Sequence, residues 1–458
     1  MKKICLMLLF TLFVAGTYAA DKGWVNLFNG NNLDGWKVVN GNAEYKVING
    51  LIVGTSICGS PNSFLAATGN YGDFILEYEM KMERGLNSGV QIRSISDPAI
   101  NNGRVHGYQV ECDDSEYGES AGIYDEARRG WLYPMEYNQV ARKAYKRGEW
   151  NSFRVECVGN SIRTWLNGVP CANLADDMTA SGLICLQVHA IGQKKEEEGK
   201  TISWKNIRIM TTNLAKEQRK MDASIPEVSY LKNTLTKTEQ KDGWKLLWDG
   251  KTLSGWLNAK DGVQPSKGWT IQEDELIANL PGNKGGGDMV TQKEYKNFIL
   301  EIDFKFTAGA NGGIKYFIQP NADKTGFSTV GCEYQILDDN LHPDAKLGIN
   351  GNRTLASLYD LIPANSQKFD PAQAVKRSNG VNQWERARIE VRGEKVSHYL
   401  NGIKIVEYTR GTPEWKAVVA TSKFAKVKNF GEFATGHILL QDHGDEVHYR
   451  NIKIRELK

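Results

Sequence analysis

Apolar and polar side chains alternate one by one over two well-separated stretches of the chain. Phe74, Leu76, Tyr78 and Met80 alternate with Ile75, Glu77, Glu79 and Lys81, and Phe298, Leu300, Ile302, Phe304 and Phe306 keep the same rhythm. A period of two is the signature of a strand with one face on a core. The opposite face, carrying Glu77, Glu79, Glu301 and Asp303, reads as a solvated surface. Similar short strands recur between Asn-Gly and Gly-rich turns, without a long helical pattern, which predicts antiparallel sandwiches of two sheets. Near the end of each half the alternation slips. Trp204 and Ile207, like Tyr449 and Ile452, are an odd number of residues apart, so a β-bulge is expected near Asn206 and near Asn451.

The two stretches belong to an internal repeat. Trp24-Val-Asn-Leu-Phe-Asn-Gly-Asn-Asn-Leu-Asp-Gly-Trp36 returns as Trp244-Lys-Leu-Leu-Trp-Asp-Gly-Lys-Thr-Leu-Ser-Gly-Trp256, and Tyr71 to Asp114 matches Tyr295 to Asp338 without a gap. Leu166-Asn-Gly, Leu186-Gln-Val-His189 and Lys205-Asn-Ile-Arg-Ile find partners in Leu400-Asn-Gly, Leu440-Gln-Asp-His443 and Arg450-Asn-Ile-Lys-Ile. Units this long are duplicated domains rather than solenoid repeats. The expected layout is an export signal over 1–20, a first sandwich over 21–212, a linker over 213–242 and a second sandwich over 243–458. The linker is rich in Lys and Glu, with a helical stretch from Leu214 to Met221. The signal is read from Lys2 and Lys3 before the apolar run Ile4–Val14 and the small residues ending at Ala20. It predicts an exported protein, periplasmic or secreted.

Composition narrows the partners. A net charge of +3 over 458 residues, with both signs interspersed, argues against nucleic acid, and no later apolar run is long enough to enter a membrane. After Cys5, five cysteines fall in the first half and only Cys332 in the second. That distribution is no disulfide framework, and Cys157 and Cys185 read as buried thiols.

Taken together, Leu-Phe-Asn-Gly-x-x-Leu-x-Gly-Trp, Asn-Ser-Gly-x-x-x-Arg, Gly-x-Glu-x-Gln-x-x-Asp, Leu-Asn-Gly and Leu-Gln-x-His-Gly followed by Arg-Asn-Ile-x-Ile resemble the 3-keto-disaccharide hydrolase domain. The resemblance covers nearly the whole chain, twice. It implies two tandem concanavalin-like jelly rolls and cleavage of glycosides whose sugar is oxidised to a ketone at carbon 3. Such a ketone acidifies the hydrogen on carbon 2, so a side-chain base can remove it and the enolate can expel the anomeric oxygen. Hydrolase and lyase outcomes differ only by a later addition of water. The second copy is closer to the pattern but carries Phe317 where the first keeps Arg93. The first carries Gln109 and Glu111 where the second has Glu333 and Gln335, and Ala190 where the second has Gly444.

These residues supply the candidates. His443 and His189 read as base or ligand, or as histidines satisfied by a neighbouring strand, with Gln441 and Gln187 two residues earlier on the same face. Glu333, Asp338 and Glu111 join them as candidate catalytic carboxylates, and Gln335 as a binding residue. Lys315, Lys423 and Arg93 are candidates for stabilising an enolate oxygen. Tyr359 and Tyr124, each followed by Asp, either line a cleft or pack. The turn Asp338-Asp-Asn-Leu-His-Pro-Asp344 could hold a divalent metal, though Asp and Asn also cap backbone groups in turns. No cofactor is required by the sequence. Trp24, Trp36, Trp244, Trp256 and Trp384 read as core. The main reading is a 3-keto-glycoside-cleaving enzyme with the second copy as catalyst; the rival is a pair of non-catalytic, lectin-like carbohydrate-binding modules.

Overall fold

The computed structural model describes residues 23–322, 325–371 and 373–458. The export signal expected over residues 1–20 lies outside them. Each half of the chain folds into two packed antiparallel sheets, so the protein is all-β with two tandem jelly-roll sandwiches. In the first, Phe74–Met82 is flanked by Asn151–Val158 and Thr201–Met210, while the facing sheet runs from Gly130–Tyr133 through His106–Asp113, Asn87–Ile95 and Leu183–Val188 to Trp36–Val39. In the second, Phe298–Phe306 lies between Glu385–Arg392 and Val447–Glu456, opposite a sheet in which Cys332–Leu337, Asn311–Ile318 and His437–Leu440 are neighbours. Among the described residues no helix is long and apolar enough to cross a membrane.

The alternation sets the core. Phe74, Leu76, Tyr78 and Met80 in one half, and Phe298, Leu300, Ile302, Phe304 and Phe306 in the other, face the inside of their sandwiches. Both bulges are present. The register shifts between Lys205 and Arg208, and again opposite Glu301 and Asp303, and Asn206 and Asn451 adopt left-handed φ of 51° and 52°. The cysteines among the described residues are all free thiols.

Two expectations are corrected. Trp36 and Trp256 are buried, but Trp24, Trp244 and Trp384 are only partly covered, each with a cation near its ring: Arg208 lies 4.4 Å from the Trp24 ring, Lys453 5.3 Å from Trp244 and Arg450 3.9 Å from Trp384. Nor is the acidic face of Phe298–Phe306 solvated. Asp303 is 2% exposed and accepts from Arg386 at 2.6 Å, and Glu301 sits near Lys453 at 3.2 Å and is driven down to about pKa 2, its burial outweighed by Lys453, Arg386 and Arg388. What covers this face is the connecting segment and the other domain.

That segment carries short helices at Leu214–Glu217 and Lys237–Lys241, and Val228–Ser229 adds a parallel strand beside Leu174 and Ala175 of the first domain. Tyr230 follows. Its ring has the Arg386 guanidinium of the second domain at 3.7 Å and the Arg129 guanidinium of the first at 5.9 Å, and its hydroxyl donates to the Leu132 carbonyl. Arg129 is itself held by Asp125 and Asp176. Lys453 donates to Glu239 at 2.5 Å, and Asn233 and Asn451 exchange backbone-to-side-chain bonds at 2.6 and 2.8 Å. The linker is therefore tied to both sandwiches, through Tyr230, Asn233 and Glu239.

Candidate active site

On Cys332–Leu337 the residues Cys332, Tyr334 and Ile336 point into the core, which turns Glu333 and Gln335 to the other face of the sheet. Ile314 and Tyr316 do the same for Lys315, and Ile438 and Leu440 for the residues beyond them. Register brings these outward positions together, because Lys315 pairs with Glu333, Gly313 pairs with Gln335, and the Gln441 amide N–H donates to the Gly313 carbonyl. A cavity of about 240 Å³ opens there, lined by Lys315, Glu333, Gln335, Tyr359, Lys423, Gln441 and His443, with Asn311, Thr329–Gly331 and Phe424.

Glu333 is the centre of this cleft. It is 5% exposed, and burial raises its carboxyl above the ordinary carboxylate range, against the opposing pull of Lys315 and Lys423. Lys315 Nζ lies 3.8 Å from the carboxylate and donates to the Thr329 carbonyl at 3.0 Å. The Gln441 amide, oriented so that every atom has a partner, donates to Glu333 at 3.2 Å and accepts from Lys315 at 3.1 Å. Gln335 donates to Asn311 Oδ1, and Asn311 Nδ2 faces His443 Nε2 at 3.5 Å.

Loops supply the far wall. Lys423 Nζ sits 4.0 Å above the Tyr359 ring, and partial burial lowers its pKa. Tyr359 donates its hydroxyl to Asp344 at 2.7 Å, Arg353 ties Asp344 (2.9 Å) to Asp360 (2.6 Å), and Asp360 accepts from the Lys423 backbone N–H. One guanidinium thus fixes both the tyrosine and the lysine. The first domain repeats the motif in part: Asp125, next to Tyr124, is held by Arg128 and Arg129.

A second cleft, of about 340 Å³, occupies the matching face of the first domain. Gln109, Glu111, Tyr124 and His189 line it. Gln91 takes the place of Lys315 and donates to Gln109, and no lysine lines this cleft. Glu111 accepts from Asn87 at 2.6 Å and from Gln109 at 3.0 Å, yet burial lifts its pKa to about 8.

Three candidates do not join either cleft. Asp338 is buried away from the lining and uses its oxygens on the N–H groups of Gly309, Asn340 and Leu341, so it holds the turn that follows its strand. Arg93 is 1% exposed; its guanidinium donates to the Gly72 and Gly159 carbonyls and to Asp73. The same job in the second domain falls to Arg410, which donates to the Gly393, Gly431 and Phe433 carbonyls and lies 4.0 Å from the Phe317 ring. The Arg-to-Phe departure therefore moves a structural guanidinium and leaves the cleft untouched. Gln187 is fully buried, and both its amide atoms lack partners.

The Asp338–Asp344 turn is not itself a ligand set. It contributes His342, which meets His443 and Asp445 so closely that their ligand atoms all lie within 4.8 Å of one another. Two imidazoles and a carboxylate suit a divalent transition metal. Sequence reading missed Asp445, whose partner in the other copy is apolar, and it missed Asn311 and Gly313, which were visible only as a motif. A Cβ on Gly313 would collide with Glu333 Oε1, so the glycine is what lets this carboxylate lie across the neighbouring strand.

The 3-keto-alpha-glucoside-1,2-lyase-like domain matches this chain over residues 23–210 and again over 243–455. A 3-keto-disaccharide hydrolase of Bacteroides thetaiotaomicron is 36% identical over 271 residues, which takes in 52% of this chain and 90% of that protein. A solved structure from Parabacteroides distasonis, proposed to be a glycosyl hydrolase, is 28% identical and covers 50% of this chain and 100% of its own, with a TM-score of 0.43. The carbohydrate-binding module CBM66 of Bacillus subtilis is 16% identical over 38% of this chain and 95% of its own, with a TM-score of 0.27. With both sandwiches matched almost end to end, the chain belongs to the carbohydrate-active family of 3-keto-alpha-glucoside-1,2-lyase-like domains and carries that domain twice.

Proposed function

We propose that the second domain cleaves glycosides whose sugar carries a ketone at carbon 3, after export from the cytoplasm. The observation that carries this reading is a buried carboxylate, Glu333, that shares a cleft of about 240 Å³ with two lysines, Lys315 and Lys423. Glu333 takes the proton from carbon 2. The electron pair left behind is delocalised onto the ketone oxygen, where Lys423 or Lys315 offsets the charge. As the carbon 1–carbon 2 double bond forms, the bond from carbon 1 to the departing oxygen breaks, and that oxygen takes a proton from His443. The products are an unsaturated 3-keto sugar and an alcohol. Water adding back at carbon 1, with a proton returning to carbon 2, turns this elimination into a net hydrolysis.

His342, His443 and Asp445 fit a divalent cation at the rim; with a cation bound, His443 would be a ligand instead of the acid, and the cation would polarise the departing oxygen in its place as a Lewis acid. The purified chain is expected to cleave a 3-keto-glucoside and to leave the unoxidised glucoside intact. Equal binding of both sugars without turnover would favour the lectin-like alternative and sink this reading.

A further inference from the structure

We infer that the first domain's cleft is a binding site for an unoxidised, uncharged hexopyranosyl unit, completed by the second domain and without cleaving activity of its own. This rests on the reading that the second cleft does the chemistry.

The lining says what the ligand is not. Glu119 is paired with Arg377 at 2.7 Å and Glu126 with Arg104 at 2.8 Å, so both guanidiniums of the lining are engaged, while Asp113, which also lines the cleft, accepts from Ser115. Glu111, at the floor, stays largely protonated at neutral pH. Among the described residues, neither guanidinium of the lining is left unpaired for a carboxylate or phosphate, and no lysine lines the cleft to offset an enolate. What remains is a set of hydrogen-bonding groups, Asn62, Gln109, Glu111 and His189, beside an aromatic corner. The Tyr124 and Trp131 rings meet edge to face with centroids 5.3 Å apart, and both are partly exposed. Neutral hydroxyl-bearing rings, polar at the edge and apolar on the face, match that combination.

The second domain finishes the wall. Arg377 reaches across to bond Glu119, and its guanidinium lies 5.4 Å from the Trp131 ring and 5.2 Å from Tyr117. Asn379, two residues on, donates to the Arg129 carbonyl at 2.6 Å. Gln187, although it does not line the cleft, lies one position beyond the Leu186–Val90 pair on the same outward face of the sheet, with its buried amide unpartnered. Gln109 lies across Gly89 on the next strand, where a Cβ would come within 2.6 Å of Gln109 Cγ. The same glycine device that positions Glu333 thus presents an amide here in place of an acid. A neutral donor and acceptor can hold a sugar but cannot take a proton from carbon 2.

The test is calorimetric titration of the full-length chain with methyl glucoside and with maltose, alongside turnover of a small 3-keto-glucoside. Saturable binding is expected in the wild type and in Glu333→Gln. Trp131→Ala and Gln109→Ala should each weaken it by about tenfold while turnover stays near wild type. Gln109→Ala guards against a Trp131→Ala chain that misfolds. Absence of saturable binding, or binding lost in Glu333→Gln and kept in both first-domain variants, overturns the inference. Loss of turnover in Gln109→Ala but not in Glu333→Gln would instead overturn the assignment of chemistry to the second cleft.

Discussion

Gly313 and Glu333 sit on adjacent strands so close together that the carboxylate occupies the space a side chain at 313 would need, with Cδ 3.0 Å from where its Cβ would be. Gly313→Ala must displace that carboxylate from Lys315 and Gln441 or force the strands apart. The expected outcome is a fall in kcat of about 10²-fold or more with a native circular dichroism spectrum, since the backbone here is extended and tolerates alanine.

Glu333→Gln keeps the shape of the side chain and removes the base, and should lower kcat by about 10²–10⁴-fold. As a base the residue works only when ionised, so the acidic limb of the rate profile follows its raised pKa. Lys423→Met removes one of the two cations that hold that pKa down. The limb should therefore move to higher pH in this variant, and an unmoved limb would exclude Glu333 as the titrating base.

His443 borders the cleft with the lysines and His189 the one without them. His443→Ala is expected to remove most turnover and His189→Ala to leave it largely intact, measured on one 3-keto-glucoside. The reverse result would make the first domain the catalyst.

Glu111 also controls stability. Its folded pKa of about 8 lies above that of an exposed glutamate, so the folded form holds a proton that the unfolded chain releases. Its contribution is fully present below the unfolded value near 4.5 and is lost as the pH rises towards 8. Glu111→Gln removes this loss, so it should raise the melting temperature relative to wild type by about 2–4 °C at pH 8.5, with a smaller gain at pH 5.

The imidazole pair at the rim makes a binding prediction independent of catalysis. Calorimetric titration of the chelator-treated full chain with Zn²⁺ or Mn²⁺ should show one site, and His342→Ala or Asp445→Ala should abolish it. A site that survives both changes lies elsewhere.

The sandwiches, both bulges and the two polar strand faces were legible because period-two alternation is written directly into Phe74–Met82 and Phe298–Phe306. Lys315, Glu333, Gln335 and Gln441 were legible for the same reason, as outward positions on strands whose other residues are apolar. Asp338 misled because a carboxylate at the end of a polar strand looks the same whether it faces a cleft or caps a turn. Arg93 misled because a guanidinium bonding carbonyls leaves no pattern, and Arg410, which replaces it, lies far along the chain. The acidic face of Phe298–Phe306 was read as solvated because alternation reports two faces but not what covers the second. Arg377 and Asp445 reach their sites through tertiary placement alone.

The position of Tyr230 between Arg129 and Arg386 has an evolutionary consequence. A gene duplication ordinarily leaves two modules that recombination can separate, lose or shuffle. Here each half has acquired a guanidinium whose aromatic partner, Tyr230, lies in the joint. Excising either sandwich would bare a buried arginine and its matched aspartates, so selection on one copy now acts on the other as well. The pair is inherited as one unit, and the first copy is free to drift in chemistry while it remains bound in place.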